Sequence, residues 1–253
     1  MSAAFRRKFE FNKDRHLHLG VERECFFVKD GIISPLAPKF IPELPNNGLY
    51  GYELSACQLE TRTKPHPVQM IGDALIDLRN MLEKDRVRLG FEVLHQEVAP
   101  FDMPLDIYPD PTGRYQKITK DMTVEKIRAA CRVAGTHVHV GMGSPRQAIR
   151  AYNAAIKHIP ELCAAGDKSN GERLKIYKIM APNFQPPTYK NWGDFEKYAN
   201  KNGFWKKPRN CWHIIRISTH GTIEFRMFGA TPDVTEILAW AIRCHQICKD
   251  ALL

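Results

Sequence analysis

The sequence lacks several features that define large classes of proteins. No apolar run approaches the roughly 20 residues that span a bilayer, so we expect no membrane partner. Residues 1–16 are basic but have no apolar core and no small-residue cleavage site, which predicts a short N-terminal arm and not a signal peptide. Repeats, low-complexity tracts and composition shifts are also missing, so we expect a single domain over residues 1–253.

Cysteine usage gives little support to an oxidising compartment. The chain has 7 cysteines, an odd number, and no two of them form a C-x-x-C pair. A disulfide framework usually shows an even number at regular spacings, and secreted domains are the ones that depend on it. The sequence therefore predicts reduced thiols and a cytoplasmic protein.

Glycine-rich phosphate loops are missing as well. Neither a G-x-x-x-x-G-K-[ST] segment nor a G-x-G-x-x-G segment occurs. If the chain binds a nucleotide, metal ions and arginines must hold it. The net charge of +9 has three interpretations: a solvated surface, a nucleic-acid partner, or positive charge gathered around a polyanionic nucleotide. The basic residues are dispersed, which favours the first, and we expect no nucleic-acid partner.

The hydrophobic pattern predicts strands and helices in uneven groups. Strand-like segments occupy 17–29, 51–64, 92–99, 132–142 and the hairpin 213–219/221–228. Helical patterns occupy 67–89, 145–157 and 232–252, with Ser144 and Thr231 as expected N-caps. Residues 164–207 are predicted as long loops with one short helix near 192–199. This arrangement predicts an α+β fold with a largely antiparallel sheet.

Acidic side chains recur on the predicted strands. Glu22 and Glu24 alternate along one strand and therefore share a face, where two carboxylates repel unless a cation or proton separates them. Glu53 and Glu60 differ by an odd number of residues, so they converge only if the register is reset near Ser55. Taken alone, either segment also fits an ordinary exposed or edge strand.

Two further strands carry imidazole and guanidinium groups. His137 and His139 share one face, and His-x-His pairs are often metal ligands, although a single strand histidine is usually a core residue. Glu224 and Arg226 share a face on the last strand, where a simple ion pair is the alternative. Carboxylate oxygens suit Mg²⁺, and an imidazole among them shifts the preference slightly towards Mn²⁺.

These segments together resemble the type-2 glutamate–cysteine ligases, a family of carboxylate-amine ligases. The matching segments are Gly20–Glu24, Glu53–Thr63, Gly135–Gly141 and Gly221–Arg226, and they occur in the family's order. The resemblance runs from about His18 to the last helix. It implies a glutamine-synthetase-like sheet that forms a half-funnel, with helices packed on its outer face.

The resemblance also implies ligands and roles. ATP and two or three Mg²⁺ ions are expected, with the metal ligands falling on Glu22, Glu24, Glu53, Glu60, His137 and Glu224. Arg226 falls where a catalytic arginine contacts phosphate, Arg216 falls where a second one reaches phosphate or the substrate carboxylate, and Arg173 is a further cofactor-binding candidate. His139 is expected to support the site without binding metal. Arg226 is expected to reach solvent and contact ATP phosphate instead of only pairing with Glu224.

The chain departs from the family in parts that shape the substrate pocket. It is shorter than typical members, the usual serine-rich loop is reduced to 163–166, and Gly229 stands where an aspartate often follows the arginine. The acid and the amine therefore stay open, as does the oligomeric state, a homo-oligomer included. Two rival functions also stay open: a metal-dependent hydrolase built on the two histidines, and a non-catalytic basic binding module.

Overall fold

The computed structural model describes residues 3–181 and 184–253, in which an antiparallel sheet is covered by helices. The strands pair in the order β3-β4-β1-β6-β8-β7, and β2 and β5 also pair with β1. Their bounds are β1 Leu19–Lys29, β2 Ile32–Ile33, β3 Tyr50–Tyr52, β4 Gln58–Arg62, β5 Glu92–Leu94, β6 Gly135–Gly141, β7 Ile215–Ile217 and β8 Thr222–Gly229.

Helices occupy the segments between these strands and both ends of the described chain. Their bounds are α1 Ala3–Arg6, α2 Ala37–Phe40, α3 Ile71–Leu89, α4 Arg114–Thr119, α5 Val124–Arg132, α6 Pro145–Ile156, α7 Ile159–Gly166, α8 Glu172–Met180, α9 Trp192–Lys201 and α10 Val234–Asp250. None of the described helices is long and apolar enough to cross a membrane.

The main core lies between one face of the sheet and the helices. Val21, Val138 and Phe225 are buried on the central strands β1, β6 and β8, in one hydrophobic cluster with Tyr152 of α6 and Ala241 of α10. Because side chains alternate across a strand, the neighbouring residues of these strands face the opposite side. The predicted α+β class, with an antiparallel sheet and helices on its outer face, is confirmed.

The starts of α6 and α10 show one correct and one wrong cap prediction. Ser144 caps α6, where its side chain accepts a hydrogen bond from the backbone N–H of Gln147. For α10 the prediction of Thr231 is wrong, because the carboxylate of Asp233 accepts from the backbone N–H groups of Thr235 and Glu236. Both residues fit the sequence pattern, and only the contact distinguishes them.

The N-terminal segment is packed into the core and does not project as an arm. Phe5 and Phe9 are buried, and their rings lie 5.2 Å apart between centroids. Trp192 at the start of α9 adds an edge-on contact to Phe9 at 4.9 Å. Residues 1–2 of the predicted arm lie outside the described residues. The single-domain expectation stays a prediction.

Several element boundaries differ from the sequence pattern. The predicted strand 51–64 is two strands separated by a turn, and the predicted strand 92–99 is regular only over Glu92–Leu94. The predicted loops of 164–207 contain helix α8, which was missed, and residues 182–183 of that stretch lie outside the described residues. The late hairpin is confirmed as β7 and β8, which pair antiparallel.

Candidate active site

The face of the sheet away from the main core carries the candidate residues. On β1 and β4, Glu24 lies directly opposite Glu60, and Glu22 lies opposite Arg62. On the other side of β1, Glu22 lies opposite His137 of β6. Directly opposite residues on one sheet face have Cβ atoms about 5 Å apart, so these charged groups are forced into contact range.

A turn between β3 and β4 brings Glu53 to the same face as Glu60. Ser55 leaves the β3 path and forms an isolated bridge with Ile107, and a turn over residues 56–57 precedes β4. The turn thereby resets the strand register, so that the two glutamates face the same side despite their odd spacing. Their carboxyl groups share a hydrogen bond.

A β-bulge between β6 and β8 sets the direction of Arg226. Thr136 lies opposite Phe228 and Val138 lies opposite Phe225, so the single residue His137 faces two residues of β8. Bulges of this kind redirect side chains and are common beside active sites. The bulge keeps Arg226 on the cavity face and lets Phe228 pack against Trp240 in the core, with ring centroids 4.8 Å apart.

A cavity of about 680 Å³ covers this face. All the predicted metal-ligand positions line it, together with both predicted catalytic arginines and His139: Glu22, Glu24, Glu53, Glu60, His137, His139, Arg216, Glu224 and Arg226. Loops close its sides with residues from 41–48, 110–115, 208–212 and 218–220. The sequence pattern thus placed these side chains on one surface, while metal binding by them stays a prediction.

A second cavity of about 570 Å³ lies at the end of the sheet where β1 begins and β6 ends. It shares Glu22, Arg62, His139 and His220 with the first cavity. Phe11 and Pro65 contribute apolar surface, and further residues come from the N-terminal segment. The two cavities therefore meet at the carboxylate of Glu22 and the imidazole of His139. Neither the residue pattern nor the spacing predicted that two cavities meet there.

The carboxylates differ in how their charge is compensated. Burial alone would raise the pKa of Glu22, but the imidazoles of His139 and His137 outweigh it and hold the pKa well below its usual range. Burial raises the pKa of Glu24, and the nearby His137 offsets only part of this effect. Glu24 also accepts a hydrogen bond of 2.6 Å from the backbone N–H of Gly135.

Glu53 and Glu60 form a pair of carboxyl groups that cannot both ionise at low cost. Burial raises the pKa of each, and the charge of Glu22 adds to the rise for both. For Glu60 the pKa lies well above its usual range, although the guanidinium of Arg62 lies 3.3 Å away. A proton shared between the two groups, or a cation bound by them, relieves this repulsion.

The two histidines occupy different places in the cluster. His137 lies between Glu22 and Glu24. Its Nδ1 is 3.3 Å from Oε2 of Glu22, and its Nε2 is 3.6 Å from Oε1 of Glu24. His139 lies with its Nε2 3.4 Å from Glu22, and its Nδ1 is 2.8 Å from the hydroxyl of Thr222. The Nε2 atom of His139 is buried without a hydrogen-bond partner.

Both histidines lie near two carboxylates, but only His139 shares with them a set of mutually close ligand atoms in the part of the chain that the structure describes. One atom each of Glu22, His139 and Glu224 lies within 4.8 Å of the others, close enough to hold one metal ion. An imidazole nitrogen 3.4 Å from one carboxylate, on a residue with a second carboxylate close by, fits a divalent cation well. The geometry therefore does not favour the expectation that His139 supports the site without binding metal.

Glu224 is held by two arginines. It is fully buried and accepts hydrogen bonds from Arg226 Nη1 and, at 2.7 Å, from Arg216 Nε. Burial would raise its pKa, but both guanidinium groups outweigh this and hold the pKa below its usual range. Arg226 Nε also donates to the hydroxyl of Tyr177 at 3.2 Å.

This arrangement corrects one expectation about Arg226. The residue is 8% exposed, so it does not reach solvent as the sequence argument assumed. The ion pair with Glu224 is present, while its side chain still lines the cavity. The pair and a phosphate contact are compatible, because a guanidinium has five N–H donors and the carboxylate uses only part of them.

Arg173 does not belong to the cavity, which removes it from the cofactor-binding candidates. Its guanidinium donates to the backbone carbonyls of Ala134, Met227 and Arg226 at 2.9–3.1 Å. The residue is 3% exposed and lies behind the start of β6 and the end of β8. Arg173 therefore joins two strand ends, and its donors are directed at backbone and away from the cavity.

The space behind Gly229 is filled from another segment. A Cβ atom at position 229 would overlap the carboxylate of Glu97. Glu97 accepts a 2.7 Å hydrogen bond from the backbone N–H of Lys168. A buried carboxylate therefore lies beside the position where the family often has an aspartate, and it comes from a residue that the strand pattern did not single out.

Loop residues contribute cavity groups that sequence reasoning missed. Arg114 enters from the start of α4, and Arg209 and Trp212 enter from the segment before β7. No strand alternation marks these residues, because their positions depend on how loops fold over the sheet. The only sequence signal for them is an arginine or aromatic residue within a Pro/Gly/Asn-rich stretch.

Comparison with known proteins gives consistent matches. The family model "Glutamate-cysteine ligase family 2" matches residues 18–253. The Rubrobacter xylanophilus protein named "Putative glutamate--cysteine ligase 2-3" is 27% identical over 92% of this chain and 69% of its own length. A glutamate–cysteine ligase of Natronomonas pharaonis is 26% identical over 94% of this chain and 70% of its own length.

A solved structure shares the fold at low sequence identity. The bifunctional glutathione synthetase of Pasteurella multocida has a TM-score of 0.56 and 13% identity, covering 94% of this chain and 40% of its own. The chain spans about two thirds of the length of the curated relatives above. With the family model matched across nearly all of its residues, this chain belongs to glutamate–cysteine ligase family 2.

Proposed function

We propose that the chain is an ATP- and divalent-metal-dependent ligase that joins a carboxylate to an amine. The observation that carries the proposal is a buried cluster of carboxylates and imidazoles at the junction of two cavities, flanked by Arg216 and Arg226. Two cavities that meet at one charged centre allow a nucleotide and an acid to approach each other from different sides.

Divalent cations fit the cluster chemically. Glu22, His139 and Glu224 would hold one ion, and Glu24, Glu53 and Glu60 would hold another beside His137. Bound Mg²⁺ would neutralise phosphate charge there. The raised pKa values of Glu24 and Glu60 support this assignment, because the cationic side chains nearby offset the cost of burying these carboxylates only in part.

The second cavity suits the nucleotide. Its apolar contributions from Phe11 and Pro65 fit a flat base, and its rim carries cationic side chains. The first cavity holds more charged groups, including Arg114 and Arg209, and suits the acid and the amine. Arg226 and Arg216 lie on the sheet face where phosphate would meet the acid.

The reaction would proceed in two steps. The carboxylate oxygen of the acid attacks the γ-phosphorus of ATP, the bond to the bridging oxygen breaks, and ADP leaves with an acyl phosphate formed. The amine nitrogen then attacks the acyl carbon, phosphate leaves, and the amine nitrogen loses a proton to give an amide. The role of Arg226 and Arg216 is to offset charge on the phosphoryl group during transfer.

The hydrolase alternative has weaker support. A zinc hydrolase built on the two histidines needs both at one ion with an open position for water. In the part of the chain that the structure describes, the group of mutually close ligand atoms contains His139 without His137. The alternative of a non-catalytic module has no support from the first cavity, because all the predicted metal-ligand positions line it.

ADP release tests the proposal. The purified chain is incubated with MgATP, L-glutamate and L-cysteine, the pair in the relatives' printed name, and then with other amino acids and amines in pairs. We expect ADP release that requires Mg²⁺, an acid and an amine together, and that is lost in Glu224→Gln. Amide hydrolysis that depends on Zn²⁺ and proceeds without ATP would overturn the proposal in favour of the hydrolase.

A further inference from the structure

The segment before the family match forms part of the second cavity. The family model begins at residue 18, yet the lining includes Glu10, Phe11, Asn12, Lys13 and Arg15. These residues belong to the stretch that the sequence analysis interpreted as a short arm. Their position in a cavity wall gives that stretch a role which the family match does not assign.

The segment is fixed in place by backbone contacts to the strand ends. The N–H of Glu10 donates to Thr219 O at 2.8 Å, and the N–H of Leu17 donates to Gly141 O at 2.8 Å. A Cβ at Gly141 would overlap the carbonyl oxygen of Arg15, and one at Gly221 would crowd the carbonyl of Glu10. Glycines at these two positions let the segment lie directly on the ends of β6 and β8.

Backbone strain also shows that the segment is held in one conformation. Leu17 has a φ of 58°, a left-handed conformation that is unfavourable for a residue with a Cβ. It persists because the backbone N–H of Leu17 donates to Gly141 O while the N–H of Gly141 donates to His18 O, and this pair of bonds fixes the turn into β1. The aromatic contacts of Phe5 and Phe9 anchor the other end. Residues 10–18 are therefore a fixed wall.

The charge of this wall favours an anion. Lys13 and Arg15 are exposed at the cavity, and Arg62, His18 and His220 are further basic residues of its lining. Glu10 and Glu22 are the acidic residues of the lining, and Glu22 lies 3.3 Å from His137 Nδ1 and 3.4 Å from His139 Nε2. Long cationic side chains at a cavity mouth raise the local concentration of a polyanion and contact its oxygen atoms.

We propose that Lys13 and Arg15 bind the phosphate groups of the nucleotide and so determine its affinity, a role that rests on the proposed function. The two side chains extend the phosphate contacts beyond the sheet arginines into a segment outside the family match. Phosphate recognition by Arg15 would use paired N–H donors, and Lys13 would act as a mobile point charge.

Nucleotide binding to two double variants tests the proposal. Lys13→Ala/Arg15→Ala removes both charges from the cavity wall. The control Arg150→Ala/Lys157→Ala removes one lysine and one arginine from exposed positions on and next to α6 that line neither cavity. Dissociation constants for MgATP and for adenosine are measured by calorimetry at low and high salt, and melting temperatures check that both variants fold.

We expect the wall variant to bind MgATP about tenfold more weakly at low salt, with adenosine affinity unchanged, while the control stays within about twofold. The conservative exchange Lys13→Arg, which keeps both charges and leaves Arg15 in place, should leave the affinity unchanged. Equal MgATP affinity in both double variants would overturn the role of Lys13 and Arg15 while the proposed function stands. A chain that binds no MgATP at all would overturn both.

Discussion

Glu60 shows how a functional arrangement can oppose stability at a single residue. Its carboxyl group is buried beside Glu53 and Glu22, and its pKa lies well above the usual range. Carboxylates this close stay ionised only when a cation is present. The metal-free protein therefore bears a cost that bound Mg²⁺ would remove.

Replacing Glu60 with glutamine should separate these two effects. We expect Glu60→Gln to leave the melting temperature of the metal-free protein equal or higher, because glutamine resembles the neutral carboxyl form that the raised pKa of Glu60 favours. The Mg²⁺-dependent rise in melting temperature should shrink, because a ligand charge is lost. The exposed control Glu92→Gln should retain the full rise. A full Mg²⁺ response in Glu60→Gln would show that this carboxylate binds no metal.

Arg226 combines a structural contact with a proposed catalytic one. It pairs with the buried Glu224 and with the Tyr177 hydroxyl, while its side chain lines the cavity. Replacement by alanine leaves Glu224 with Arg216 as its guanidinium partner and is expected to destabilise the protein by about 3 kcal/mol. Alanine alone therefore cannot separate the two roles.

Replacing Arg226 with lysine separates its structural role from its proposed catalytic role. We expect Arg226→Lys to keep the melting temperature within a few degrees, because the charge beside Glu224 remains. ADP release should fall by roughly tenfold to 100-fold, because lysine lacks the planar pair of donors that matches phosphate. Thermal unfolding and ADP release are measured on the same preparation. Unchanged ADP release would leave Arg226 with the ion pair as its only role.

At the level of elements, the start of α10 offers a direct check on the corrected cap. The carboxylate of Asp233 accepts hydrogen bonds from the N–H groups of Thr235 at 2.8 Å and Glu236 at 3.4 Å. We expect Asp233→Ala to lower the free energy of unfolding by about 1 kcal/mol, while Asp233→Asn keeps most of the stability. Urea denaturation measures both, and equal losses in the two variants would argue against capping by this side chain.

Strand alternation predicted the parts of the site that depend only on local geometry. Glu22 and Glu24 share a face because they are two residues apart on one strand, whereas the odd spacing of Glu53 and Glu60 left open whether they converge, and the turn before β4 brings them together. The bulge opposite His137 could not be read from the sequence, because it reflects packing of Phe228 against α10. Arg173 was misassigned for a similar reason, since its partners are distant backbone carbonyls.

At the scale of the whole molecule, no pattern in the sequence indicated the second cavity. Its wall combines the N-terminal segment, the end of β6 and the turn before β8, which are far apart in sequence. Helix α8 was missed because its face is mixed, with the charged Arg173 buried among apolar neighbours. Long-range packing, and not local pattern, therefore decides how the charged sheet face becomes a junction of two cavities.

The proposed reaction transfers phosphate from ATP to a carboxylate at the junction of the two cavities. Transfer through an acyl phosphate moves one oxygen atom from the acid to the released phosphate. The chain is supplied with MgATP, L-cysteine and L-glutamate whose carboxylates carry ¹⁸O, and the phosphate is analysed by mass spectrometry. We expect one ¹⁸O atom in each phosphate released with the amide. Phosphate without ¹⁸O, formed while amide accumulates, would rule out transfer through an acyl phosphate.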